Sequence, residues 1–181
     1  MRCLFISMGI GIVLILLCFL GLRQCSRLPS DAEMRGYFYE HKQVYTALVD
    51  MLHNDKDVRR ICRDEIAVHD PKNATSDLIV LPIEQTSFSR GRFDEYRKLI
   101  AQIEAPSIWS DANQTVAFQL GGHGFAGIGT RWGYEWLPTP PPAKLILPTL
   151  DDFLKDGPYL PETDRYVHLD GNWYIRMHVA D

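Results

Sequence analysis

The stretch Tyr166-Val167-His168-Leu169-Asp170-Gly171-Asn172-Trp173-Tyr174-Ile175-Arg176-Met177-His178-Val179 decides how the chain is read. Two runs rich in β-branched and aromatic residues flank Asp170-Gly171, a pair favoured in tight hairpin turns because such turns need positive φ. The stretch therefore reads as a C-terminal β-hairpin. With Asp170 and Gly171 as the two turn residues, Leu169 faces Asn172 and His168 faces Trp173. His168 then shares a side with Trp173, Ile175 and Met177, and His178 points the other way. A one-residue bulge would reverse this assignment.

Strand signals continue upstream of the hairpin. Ser107 to Ser110, Gln114 to Leu120 and Gly129 to Leu137 read as strands, with Asp111-Ala112-Asn113 as a turn and Pro138 and Pro140-Pro141-Pro142 as the close. Leu150 to Leu154 is expected to form one helical turn. A helix is expected from about Ser89 to Glu104, with Phe93, Tyr96, Leu99, Ile100 and Ile103 on one face. An earlier helix should start at Ser30, which has capping-box spacing to Glu33, and run to about Leu52. Val58 to Cys62 reads as a further short helix. Ile66 and Val68 suggest a short strand, and Leu78 to Ile83, which carries Pro82, an apolar segment unsuited to a central strand. The fold class expected is α+β: two main helices packed on an antiparallel sheet that ends in the C-terminal hairpin. Residues 29–181 are expected to form a single soluble domain.

The N-terminal segment is different. Cys3 to Leu22 carries no charge and is about as long as a bilayer core is thick. Arg2 precedes it, and Arg23 and Arg27 follow. Residues 1–28 are therefore expected to be a transmembrane helix and tether, an uncleaved signal anchor. The protein would be single-pass in an inner membrane with its C-terminal domain in the periplasm. The alternative is a lipoprotein modified at Cys25, although Gln24 is not the small residue such a site prefers. Cys62 is the only cysteine beyond that segment, so no disulfide forms within the domain.

The chain has 181 residues, 19 Lys and Arg against 23 Asp and Glu, and 46% hydrophobic residues, which excludes a disordered or collagen-like protein. Arg2, Arg23 and Arg27 are the only charges in the N-terminal segment, so 16 basic residues remain against 23 acidic, a net charge of −7. Such a domain has no electrostatic reason to seek nucleic acid.

The apolar N-terminus, the capped helix with Tyr37-Phe38 and His41-Lys42, the Asp55-Lys56-Asp57-Val58-Arg59-Arg60-Ile61 stretch and the closing Gly171-Asn172-Trp173-Tyr174 together resemble a group of small bacterial envelope proteins, membrane-anchored or lipoprotein-like. The resemblance implies an envelope location and brings no catalytic residues with it.

Candidate chemistry is sparse. Gly122-His123-Gly124-Phe125-Ala126-Gly127 matches G-x-G-x-x-G, but no helical periodicity and no suitably spaced acidic residue follows. It reads as a glycine loop or bulged strand, so no cofactor is expected. The six histidines, His41, His53, His69, His123, His168 and His178, show no metal-ligand spacing, and no metal is expected. Cys62 reads as packing. Asp64-Glu65, Asp94-Glu95 and Asp151-Asp152 are adjacent pairs that point apart. The candidate binding surface is Trp132, Tyr134 and Trp136, three rings that leave one side of a strand while Gly133 and Glu135 leave the other; the competing reading packs the same three rings against the two amphipathic helices. The function expected is a membrane-anchored envelope protein with a non-enzymatic binding domain, of immunity or inhibitor type, whose partner is a protein or envelope component. The alternative is an envelope enzyme such as a cell-wall hydrolase.

Overall fold

Helix α1 spans Asp31–Asn54 and starts where the sequence places it. In the computed structural model, which describes residues 28–62, 65–69, 78–81, 88–103, 105–125, 128–156 and 163–180, Ser30 Oγ accepts from the Glu33 amide. The Glu33 carboxylate in turn accepts from the Ser30 amide at 2.7 Å. This reciprocal cap is worth about 1 kcal/mol. One side of α1 buries Met34, Phe38, Tyr45, Leu48, Val49 and Leu52. Helix α2 (Arg90–Ile100) buries Phe93, Tyr96 and Ile100, and is capped by Ser89. Asp55, just past α1, accepts from Arg92 Nε at 2.9 Å and from the Tyr96 hydroxyl at 2.8 Å, which ties the two helices together.

Among the described residues nine strands form one sheet: β1 (Val58–Cys62), β2 (Ile66–His69), β3 (Leu78–Leu81), β4 (Ser107–Ser110), β5 (Val116–Phe125), β6 (Ile128–Trp136), β7 (Ile146–Leu147), β8 (Thr163–Asp170) and β9 (Trp173–Ala180). Their order is β3-β2-β1-β4-β5-β6-β9-β8-β7. Every pair is antiparallel except β7 with β8, so the sheet is mixed rather than antiparallel as expected. β7, which follows the proline run and a short 3-10 turn (Ala143–Leu145), pairs parallel with β8 because the chain passes from one to the other through a crossover that contains a helix, not through a hairpin. Helix α3 (Leu150–Asp156) follows β7. One large core joins α1, α2 and α3 to a single face of the sheet, through Ile61, Ile108, Val116, Phe118, Tyr134, Val167, Trp173, Ile175 and Met177.

The expected N-terminal transmembrane helix is corrected here. Among the described residues no helix is long and apolar enough to cross a membrane. The longest, α1, is one-sided: its buried residues alternate with charged ones such as Glu33, Arg35, Glu40 and Lys42, and it covers a sheet. The expected span, and with it Cys25, lies outside the described residues. The signal anchor, the membrane as a partner, the inner-membrane and periplasmic placement and the envelope binding role derived from them are not retained.

Two local expectations also change. Val58–Cys62 is a strand, not a helix. Val58 and Ile61 are buried three residues apart because the register slips between Val58 and Arg60, and that slip imitates helical spacing. In the hairpin the turn residues are Gly171 and Asn172, one position later than expected, with Asp170 opposite Trp173 and Gly171 at φ +55°. A bulge at Leu169 then pairs His168 with Tyr174, Tyr166 with Arg176 and Asp164 with His178. The bulge therefore moves His168 off the side of Trp173 and onto the side of His178. Lys42 of α1 holds the turn through an ion pair with Asp170, and Tyr39 through a 3.2 Å bond to the Leu169 carbonyl.

Candidate functional site

Strands alternate their side chains, so burying Phe118, Tyr134, Ile175 and Val167 under the helices sends their neighbours to the opposite face. The register sets those neighbours in rows. One row runs Trp109, Ala117, Glu135, Tyr174, His168; the next Ser107, Gln119, Gly133, Arg176, Tyr166; a third joins Arg131, His178 and Asp164. Part of this face is covered by a small cluster of Leu137, Tyr166 and Tyr174 with Leu145 and Ile146. The rest is open.

The two central positions of the lattice have almost no side chain. Ala117 offers a methyl group, and Gly133 offers nothing. A Cβ added at Gly133 would lie 1.8 Å from the Phe118 carbonyl oxygen, so only glycine lets β5 and β6 approach this closely. The result is a depression of about 320 Å³ whose lining includes Trp109, Gln119, Arg131, Arg176 and His178. That volume is at the lower end for small-molecule sites. A larger hollow of about 770 Å³ along α2 has no aromatic side chain in its lining among the described residues.

The walls of the depression are held in place. Trp109 Nε1 donates to Ser107 Oγ at 3.2 Å, and the Arg60 guanidinium sits 4.4 Å from the indole centroid, a cation–π contact. Arg176 Nε donates to Asp164 Oδ1 at 2.8 Å, and its Nη1 is 3.6 Å from Glu135 Oε1. His178 Nδ1 lies 3.0 Å from the same Asp164 oxygen. A carboxylate only accepts, so Nδ1 carries the proton and Nε2 is the ring's remaining polar atom. Arg131 is exposed and, among the described residues, has no hydrogen-bond or ion-pair partner.

Glu135 lies beneath this network, 5% exposed, with Oε2 lacking a hydrogen-bond partner among the described residues. Burial pushes its carboxyl up to about 7, against the pull of Arg176 and the Tyr166 hydroxyl beside it. Burial alone would weaken the Arg176 charge, but Glu135 and Asp164 outweigh it and its pKa is raised. Among the described residues no group of three or more His, Cys, Asp and Glu side chains is placed to hold a metal ion.

The rings of Trp132, Tyr134 and Trp136 fall on the helix-covered face. Tyr134 is 1% exposed, packs on Phe38 and Tyr45, and donates to the Met34 carbonyl at 2.6 Å. Trp132 and Trp136 are half-buried against the core, Trp136 beside His53 and Trp132 over Gly121. The glycine-rich segment continues β5 to Phe125 with a bulge at Leu120, and a strand rather than a helix follows. Sequence reasoning missed Trp109, Arg131, Arg176 and Asp164. The available signal was alternation: Arg131-x-Gly133-x-Glu135 and Tyr174-x-Arg176-x-His178 mark the sides of two strands opposite Tyr134 and Ile175. No family model matches the chain, and comparison with curated proteins and with solved structures finds no match.

Proposed function

We propose that this protein is a small-molecule-binding domain whose ligand sits in the depression on the open face of the sheet. The observation that supports it most is the pairing of an empty floor, Ala117 and Gly133, with a wall held from two sides, Trp109 between Ser107 and Arg60. A preorganised aromatic wall beside a side-chain-free floor costs little entropy to fill. The reading is binding rather than turnover. Arg176 and His178 are both tied to Asp164, and the unpartnered oxygen of Glu135 has no contact with solvent through which to exchange a proton with a substrate.

The test uses the full chain labelled with 5-fluorotryptophan. Its four resonances belong to Trp109, Trp132, Trp136 and Trp173, and Trp109→Phe assigns the first. Small aromatic compounds, charged and neutral, should move the Trp109 resonance and leave Trp136 and Trp173, which do not line the depression, in place. Equal movement of all four, or of none, would contradict the proposal.

A further inference from the structure

We infer that the ligand of this depression is a planar organic anion, a flat apolar body bearing a carboxylate or phosphate group. The inference rests on the binding reading above and adds its chemistry. The chain is acidic overall, with a net charge of −4, yet the side chains around the depression run the other way. Arg131 and Arg176 are diagonal neighbours across β6 and β9, and both line the depression with Gly133. Arg131 has no partner among the described residues. Arg176 commits Nε to Asp164 and leaves its Nη donors without a hydrogen bond among the described residues. Arg60 adds a third positive charge behind the indole. Arginine's planar fork matches a carboxylate or phosphate through paired donors, which a lone ammonium does not offer.

The nearest opposing charges are Asp164 and Glu135. Asp164 is already shared by Arg176 and His178. Glu135 faces Arg176 on β9 and Tyr166 and Asp164 on β8, with Asp111 farther off, and is buried on the same face beside them. The indole of Trp109 supplies the flat apolar counterpart to a ring. Anion donors on one side and an indole on the other define a ligand with a charged end and a planar end. Gln119, also in the lining, can accept or donate one further hydrogen bond.

The test titrates the full chain with benzoate and phenyl phosphate, with their neutral counterparts benzamide and benzyl alcohol, and with inorganic phosphate, all read on the Trp109 fluorine resonance. The anions should bind about tenfold or more tighter than the neutral compounds, since hydrogen bonds to charged partners carry that difference. Arg131→Gln, at an exposed position, should remove most of that preference while the thermal melt stays unchanged. Arg176→Gln leaves Asp164 and Glu135 uncompensated and is informative only if the protein folds, so Arg131→Gln is the deciding variant. If benzamide binds as tightly as benzoate, the anion inference is overturned while the binding site stands. If inorganic phosphate binds as tightly as phenyl phosphate, the planar body is overturned. If no compound moves Trp109, the binding reading falls, and this inference with it.

Discussion

On the helix-covered face β9 contributes Trp173, Ile175, Met177 and Val179, all buried in the main core; on the other, the same strand contributes Tyr174, Arg176 and His178. β6 divides the same way, with Tyr134 beneath α1 and Arg131, Gly133 and Glu135 opposite. The covered face is organised by volume, because rings such as Phe38, Tyr45, Tyr134 and Trp173 meet at centroid distances of 5–6 Å and fill the space between helix and sheet. The open face is organised by charge and by missing side chains. A fold needs only one face of a sheet to close its core, which leaves the other free to carry chemistry.

Both faces depend on one close approach at Gly133. Gly133→Val should cost about 4 kcal/mol or more and leave little folded protein, because its Cβ would fall inside the Phe118 carbonyl. A normal circular dichroism melt for this variant would contradict the register described for β5 and β6. On the open face, Glu135 should make stability depend on pH. Its folded pKa lies above its unfolded one, so its contribution is fully present below the ordinary carboxylate value and is lost as pH rises to about 7. Denaturant melts at about pH 5 and about pH 8 should differ by on the order of 2–3 kcal/mol more in the wild type than in Glu135→Gln. Equal slopes would place Glu135 in a solvated site.

Smaller effects sharpen the contrast. Gly171→Val forces a β-branched residue into positive φ at the hairpin turn and should cost roughly 1–3 kcal/mol in urea melts. An unchanged midpoint would show that α1, through Lys42 and Tyr39, holds the turn by itself. Arg131→Ala, on the open face, should stay within about 0.5 kcal/mol of wild type in the same melts. A larger loss would mean that the open face also carries the fold.

The capped start of α1, the α2 face, strands β4 to β6 and the C-terminal hairpin were legible, because caps, periodicity and turn residues act over a few positions. What was not legible depends on bulges. One residue of slippage at Leu169 decides which side His168 takes, and one between Val58 and Arg60 makes a strand look helical. The candidate site depends on both faces of the sheet being assigned. Trp132, Tyr134 and Trp136 drew attention as rings on one side of a strand, but alternation does not say which side the helices cover. The helices cover theirs, so the charged side, with its gap at Gly133, is the free one.

Trp109 lines the depression from the open face; Trp132 also borders it, with its ring packed against the main core, whereas Trp136 and Trp173 belong to the covered side alone. Intermolecular NOEs between bound benzoate and the indole protons of the full chain therefore compare the two faces directly. NOEs are expected from the benzoate ring to Trp109 and none to Trp136 or Trp173. NOEs to Trp136 or Trp173 without any to Trp109 would place the ligand on the covered side and contradict this site.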